Sequence, residues 1–204
     1  MPTSHLTKLI ERLPELEACR DSIQHTYDAL HDCFAAGGKI LLCGNGGSAA
    51  DADHWAGELL KGFGQKRPLS AKDRKKLPPY VARHLQGSLP AIPLTGFSAL
   101  SSAFCNDVAP VLVFAQLTSA LGRRGDVLVA LSTSGNARNV CLAVETARAR
   151  GLRTVGLTGS TGGRLRGLCD FSIRVPAKET YRAQEYHLPI YHCLSLMLEE
   201  AFFA

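Results

Sequence analysis

The chain predicts a doubly wound α/β fold: a parallel sheet flanked by helices, with an added N-terminal helical pair. Three observations carry this expectation. Short apolar runs of strand length alternate with stretches of helical periodicity, the pattern of buried parallel strands covered on both faces. Two of those runs end abruptly in glycine- or hydroxyl-rich turns that open a helix. Such turns fall at the carboxyl ends of the strands, where ligands sit in folds of this class.

Taken in order, the first 36 residues read as two helices, apolar at Leu6, Leu9, Ile10 and Leu13, then at Ile23, Tyr27, Leu30 and Phe34. The run Ala35-Ala36-Gly37-Gly38 stops the second helix. A strand follows over Lys39–Cys43, then the turn GNGGS, then a helix over Ala49–Phe63. Further strands are expected at Ala91–Leu94, Val127–Leu131, Thr154–Leu157 and Phe171–Val175, separated by helices at Val108–Leu121 and Ala137–Arg150. A last helix begins near Gln184. The segment 65–88 interrupts the alternation with three prolines and a dense set of Lys and Arg. Connections this long are functional or mobile in compact domains. It reads as a solvated surface excursion, or as a lid whose cations attract an anionic ligand.

With 204 residues, 46% hydrophobic and 20% charged, the chain suits a single domain, 1–204, with an ample core. No apolar run approaches the roughly 20 residues of a membrane helix, so no membrane association is expected. The first residues carry acidic groups and helical periodicity instead of a signal-peptide pattern. Seven cysteines are scattered with no CxxC pair, which suggests neither a disulfide framework nor a thiolate zinc site and points to a reducing, cytoplasmic setting. The net charge of +5 favours anionic partners. Much of it sits between Lys66 and His84, without the aromatic interleaving of a single-strand binder, which argues against nucleic acid.

The chemistry is expected at two loops and two helices. In Gly44-Asn45-Gly46-Gly47-Ser48, glycines let backbone N–H groups turn toward an anion, and Ser48 is placed to cap the helix whose N-terminus adds a positive dipole end. The loop is neither GxGxxG nor a P-loop, and an ordinary strand-to-helix turn is the alternative. Ser132-Thr133-Ser134-Gly135-Asn136 repeats the context with three hydroxyls. Two such loops on one sheet point to a phosphate; a third glycine-rich turn, Thr158–Gly163, reads as a plain loop. His54 and Glu58, at i and i+4, share a helix face. Gln184 and His192 are eight apart, about 80° around their helix, and can project to one site. Together they offer two nitrogens and two oxygens suited to Zn²⁺ or a similar ion. A surface His–Glu pair and a satisfied half-buried histidine are the bland alternatives.

The segments GNGGSAADADHWAGEL, Asn106-Asp107, LSTSGNARN and YRAQEYHLPIYH resemble the SIS phosphosugar-binding fold, and within it the bacterial phosphoheptose isomerases. The resemblance covers nearly the whole chain. It implies conversion of sedoheptulose 7-phosphate to D-glycero-D-manno-heptose 7-phosphate, toward nucleotide-activated heptoses. It also implies a homotetramer with sites between subunits. By position, Ser48, Ser132, Thr133 and Ser134 would hold the phosphate, with Asn45, Gly46, Gly47, Asn106, Asp107 and Gln184 also contacting substrate. His54, Glu58, Gln184 and His192 would ligate one Zn²⁺, and Glu58 and His192 would be the acid–base pair. The chain departs from the family at Ala137, where a hydroxyl residue is usual, at Tyr181, where an acidic one often stands, and in the length of the basic excursion. Other readings are an isomerase of another ketose phosphate, a non-catalytic SIS adaptor binding the replication initiator, and a sugar-phosphate-sensing regulator. The full set of four polar positions favours the enzyme over the adaptor, and the chain has no room for the DNA-binding domain of a regulator.

Overall fold

A computed structural model describes residues 3–204. The chain opens with α1 (Thr3–Arg12), a 3₁₀ turn over Pro14–Cys19 and α2 (Arg20–Ala35), the expected helical pair. Then come β1 (Ile40–Cys43), α3 (Gly47–Leu60), the two short helices α4 (Ala71–Arg74) and α5 (Pro79–His84), and β2 (Ala91–Pro93). α6 (Ser98–Asp107) and α7 (Val113–Leu121) lead to β3 (Val127–Leu131), α8 (Arg138–Ala149), β4 (Arg153–Thr158), α9 (Leu165–Leu168), β5 (Phe171–Arg174) and α10 (Thr180–Phe203).

The five strands form one all-parallel sheet in the order β2-β1-β3-β4-β5. Every residue of β1 and β3 is buried, as a sheet covered on both faces requires. Alternation then divides the core. Ile40 and Leu42 face a cluster shared with α1, α2, α3 and α10, while Leu41 and Cys43 face one shared with α7 and α8. The chain order reverses direction across the sheet between β1 and β3, so the ligand crevice of a doubly wound sheet opens there. The two expected phosphate loops follow those two strands.

Two elements differ from expectation. The helix expected at Val108–Leu121 is two pieces: Pro110 opens a 3₁₀ turn before α7. Ahead of it, α6 has no counterpart among the expected elements. None of its residues is fully buried, and only Leu100 and Phe104, one turn apart, pack on the core, a stripe too short to mark a helix by periodicity. The excursion 65–88 is pinned at its base by a Pro68–Gln86 bridge, Gly87 N–H donating to Arg67 O and Gly62 N–H donating to Gln86 Oε1. Its root lies against the C-terminus of α10, with Gly87 on Phe203, whereas Gln184 near the start of α10 lies against Gly47. The nineteen helical steps from Gln184 to Phe203 rise about 28 Å. The excursion therefore sits at the far end of α10 from the phosphate loops and does not cover the loops of its own chain.

Arg67, one of the cations of that segment, is fully buried instead of solvated. Its Nε donates to Glu199 Oε1 at 2.6 Å, and its other nitrogens donate to the carbonyls of Leu59 (2.7 Å) and Glu58 (3.0 Å). Glu199 also accepts the backbone N–H groups of Phe63, Gly64 and Gln65. Burial alone would raise the Glu199 carboxyl, but the N–H of Phe63, the guanidinium and the N–H of Gly64 outweigh it and hold it below the usual carboxylate range.

His187 of α10 is fully buried, and burial pushes its pKa down to about 4. The unfolded chain protonates near 6.5 and the native chain near 4, so across that window the unfolded state binds more protons. Stability is then full above about pH 6.5 and falls as pH drops toward 4, by about 3 kcal/mol from this one group. Urea unfolding at pH 7 and pH 5 should show about 2 kcal/mol of that loss, and His187→Gln should flatten the difference. An equal pH dependence in the variant would remove His187 as its source.

Candidate active site

GNGGS leaves β1 and turns directly into α3, with Gly46 as the residue before the helix and Ser48 in its first turn. The expected cap is corrected here: Ser48 lies inside the helix, buried, and no side chain caps α3. A hydroxyl that does not cap the backbone remains available to an anion oxygen. Asn45, Gly46 and Gly47 are exposed at the loop's rim.

The second loop is built from its own bonds and from the turn beyond β4. Gly135 adopts φ 67°, and its N–H donates to Ser132 O, while Asn136 N–H donates to Ser134 Oγ. Thr158–Gly163, expected to be a plain loop, is the buttress. Gly159 N–H donates to Thr133 O, Arg164 N–H to Asn136 Oδ1, and the Gly162 carbonyl packs so closely on Gly135 that Gly135 tolerates no side chain. Ser132 is buried, Thr133 half-buried and Ser134 exposed, so the three hydroxyls step from the interior to the surface of the loop. Ala137, where the family usually has a hydroxyl, is the residue before α8 and gives no side-chain cap.

Asn139 ties the two loops together. Its carboxamide exchanges two hydrogen bonds of 2.9 Å with Asn45, across the β1/β3 crevice. Its proximity to STSGN is the only signal in the sequence, since nothing local announces a partner 94 residues away. Asn106 and Asp107 end α6, both exposed, with Asn106 Nδ2 donating to Asp107 Oδ1 at 2.8 Å. Tyr181 stands exposed at the start of α10.

The polar cluster forms where α3 packs on α10. His54 Nε2 and Glu58 Oε1 are 3.1 Å apart, and the His54 and His192 rings meet edge to face at 5.2 Å. Phe63 closes the other side of His192 at 5.1 Å. Glu58 Oε2 and His192 Nε2 are buried and without a protein partner. Burial, with neighbouring His54, lowers the His192 pKa, favouring the neutral ring. Of the four expected residues, the structure gathers His54, Glu58 and His192. Gln184 lies two turns earlier on α10, its carboxamide against Gly47 and beside Asp51.

Two residues that the sequence alone does not single out complete the cluster. Tyr191, fully buried, brings its hydroxyl within 2.9 Å of His54 Nδ1 and donates to Asp51 Oδ1 at 3.3 Å. Asp51 is three residues before His54 on the same helical face, a spacing that could have drawn attention. Tyr191 is adjacent to His192 in sequence and about 100° away around α10, so no periodicity links it to the site. Burial raises the Asp51 pKa against the lowering effect of the Tyr191 hydroxyl and the nearby Gln184 carboxamide.

The donor types suit a divalent ion of borderline hardness, and the two orphaned buried atoms suit it as well. Among the described residues, no three His, Cys, Asp or Glu donors already stand at a common metal-binding spacing. The residues therefore fit the group in kind, on a frame that places two of them 3.1 Å apart.

A five-stranded parallel sheet with two ligand loops at its switch point and a polar seam between α3 and α10 defines a SIS-domain protein. The SIS domain family matches residues 4–73 and again 102–199. The phosphoheptose isomerase of a Nitratiruptor species is 40% identical, over 97% of this chain and 98% of its own. That of Aneurinibacillus thermoaerophilus is 40% identical over 84% of this chain and 77% of its own. Two solved phosphoheptose isomerases superpose over nearly the full length. The Neisseria gonorrhoeae structure has a TM-score of 0.75 at 33% identity, covering 96% of both chains. The Francisella tularensis structure has 0.78 at 31% identity, covering 97% of this chain and 96% of that one. The chain belongs to the phosphoheptose isomerase family.

Proposed function

We propose that the chain isomerises sedoheptulose 7-phosphate to D-glycero-D-manno-heptose 7-phosphate through an enediol. The observation that carries this is the meeting of Glu58 and His192 at one seam, each with a buried, unpartnered polar atom. A binding-only adaptor has no use for two uncompensated polar atoms, which cost stability wherever they are buried. Moving a carbonyl between C1 and C2 needs a base that takes a proton from one carbon and returns it to the other. Glu58 takes that role, and His192 moves the hydroxyl proton. Ser48, Ser132, Thr133 and Ser134 hold the phosphate, and Asn45, with its amide fixed by Asn139, orients sugar hydroxyls. Gly46, Gly47, Asn106, Asp107 and Gln184 make up the rest of the substrate contacts.

His54, Glu58, Gln184 and His192 would hold one Zn²⁺. When bound, such an ion supplies Lewis-acid polarisation of the sugar's oxygens. The working form is a homotetramer with sites between subunits, in the cytoplasm. The unburied helix α6, which carries Asn106 and Asp107, and the half-exposed His54 support surfaces completed by another copy. No helix among the described residues is long and apolar enough to cross a membrane.

The test is turnover of purified protein on sedoheptulose 7-phosphate, with and without a chelator, following the aldose product. Product that disappears with chelator and returns with Zn²⁺ is the expected result. Absence of product with metal restored overturns the enzyme reading in favour of the adaptor. Product insensitive to thorough metal removal overturns the zinc role alone.

A further inference from the structure

The carboxamides of Asn45 and Asn139 form a closed pair whose orientation the backbone fixes. Val140 N–H, in the first turn of α8, donates to Asn139 Oδ1 at 3.0 Å. An N–H only donates, so the atom it meets is the carbonyl oxygen, and Asn139 Nδ2 is thereby placed against Asn45 Oδ1. Asn45 Nδ2 returns a bond to Asn139 Oδ1, and both distances are 2.9 Å. The paired residues of β1 and β3 end at Cys43 and Ala130. Beyond them, among the described residues, this pair is the hydrogen-bonded bridge between GNGGS and the loop that opens α8. The two loops are otherwise unequal. The second is braced by the turn over residues 158–163. In the first, Gly44, Gly46 and Gly47 leave the backbone free to approach an anion and equally free to drift.

We propose that Asn139 is a positioning residue for the phosphate: acting through Asn45, it holds the GNGGS turn against the start of α8 and sets the width of the crevice between the two loops. This role rests on the phosphate reading of those loops. The pair's place on the molecule separates it from a role in folding. Asn45 is exposed and Asn139 half-buried, so water competes for both bonds and their net contribution to the folded state is small. A link across a ligand crevice acts on binding instead, because a site already held at its working width loses less of its contact energy to ordering. Asn45 also keeps one N–H and one oxygen lone pair outside the pair, each in a fixed direction.

Binding of inorganic phosphate to the purified full chain, measured by calorimetry, tests this without reliance on turnover. Asn139→Leu and Asn45→Leu should each raise the phosphate Kd about 10-fold, with urea midpoints close to wild type. The double variant should bind phosphate no more weakly than either single one, since Asn139 acts only through Asn45. Asn139→Ser keeps a small polar group at the helix start but cannot complete the pair, so it should repeat the loss even where the leucine variant folds poorly. In turnover of sedoheptulose 7-phosphate, Asn139→Leu should raise KM by a similar factor with kcat nearly unchanged, because the seam of Glu58 and His192 is untouched. A phosphate Kd unmoved in both Asn139 variants overturns the proposal, as does an affinity loss that appears only with a large fall in urea midpoint. A double variant whose losses multiply also overturns it, by making Asn139 a phosphate contact in its own right. Wild type that binds no phosphate overturns the reading of the loops, and this role with it. Phosphate binding that responds as expected in a chain without isomerase activity overturns the enzyme reading alone and leaves the role of Asn139 standing.

Discussion

Glu58→Gln is expected to cut turnover of sedoheptulose 7-phosphate by at least about 10²–10⁴-fold, the contribution of a positioned general base, with little change in KM. The carboxamide matches the carboxylate in shape and keeps an oxygen within reach of His54, so the α3/α10 seam should pack as before. What it lacks is a basic oxygen for the carbon-bound proton. The phosphate loops lie at the other end of α3, at the β1/β3 crevice, and are untouched. A lesion confined to kcat is therefore the signature of lost chemistry instead of lost binding. The same variant should stop exchange of that proton into deuterated solvent. Undiminished turnover would remove Glu58 as the base and leave the cluster without its proposed chemistry.

Arg67→Met should cost about 3–5 kcal/mol of unfolding free energy, because it strands the Glu199 carboxylate in the interior without its counter-charge. Three backbone N–H groups would still bond Glu199, which places the effect toward the lower end of that range. Methionine keeps apolar volume beside Phe203, over which the guanidinium now lies at 5.0 Å. The loss would thus report the pairing more than a cavity. Urea denaturation measures it directly. The double variant Arg67→Met with Glu199→Leu should recover a large part of the loss, since removing both charges removes the uncompensated one. A single variant as stable as wild type would mean that the carboxylate is satisfied by the backbone alone. Because Arg67 also donates to the Glu58 carbonyl, a smaller drop in activity should accompany the loss of stability.

The elements legible in the sequence are those whose signal is local. β3 matches its apolar run residue for residue, and β1, β4, β5 and α8 match within one or two, because a strand or helix packed on this chain's own core shows its burial as periodicity. α6 escapes because only Leu100 and Phe104 pack on the core, neither of them fully buried. Arg67 falls among the solvated cations in the sequence because charge alone does not distinguish a surface arginine from one that closes an interior ion pair with a residue 132 positions away. The turn Thr158–Gly163 looks idle for a similar reason: its work is done on a neighbouring loop.

From residues alone follow the parallel α/β sheet, the two loops at its strand ends, and the pairing of His54 with Glu58 one helical turn apart, since each depends on spacing along a single element. Only the tertiary structure decided which side chains share the seam. α3 and α10 pack so that His192 joins His54 and Glu58 while Gln184 rests against Gly47 and Asp51. The same packing brings in Tyr191 and Asp51, and joins the loops through Asn45 and Asn139. These partners lie 94 to 140 residues apart, and contact at such separations is fixed by how helices cover a sheet, not by any pattern written within one of them.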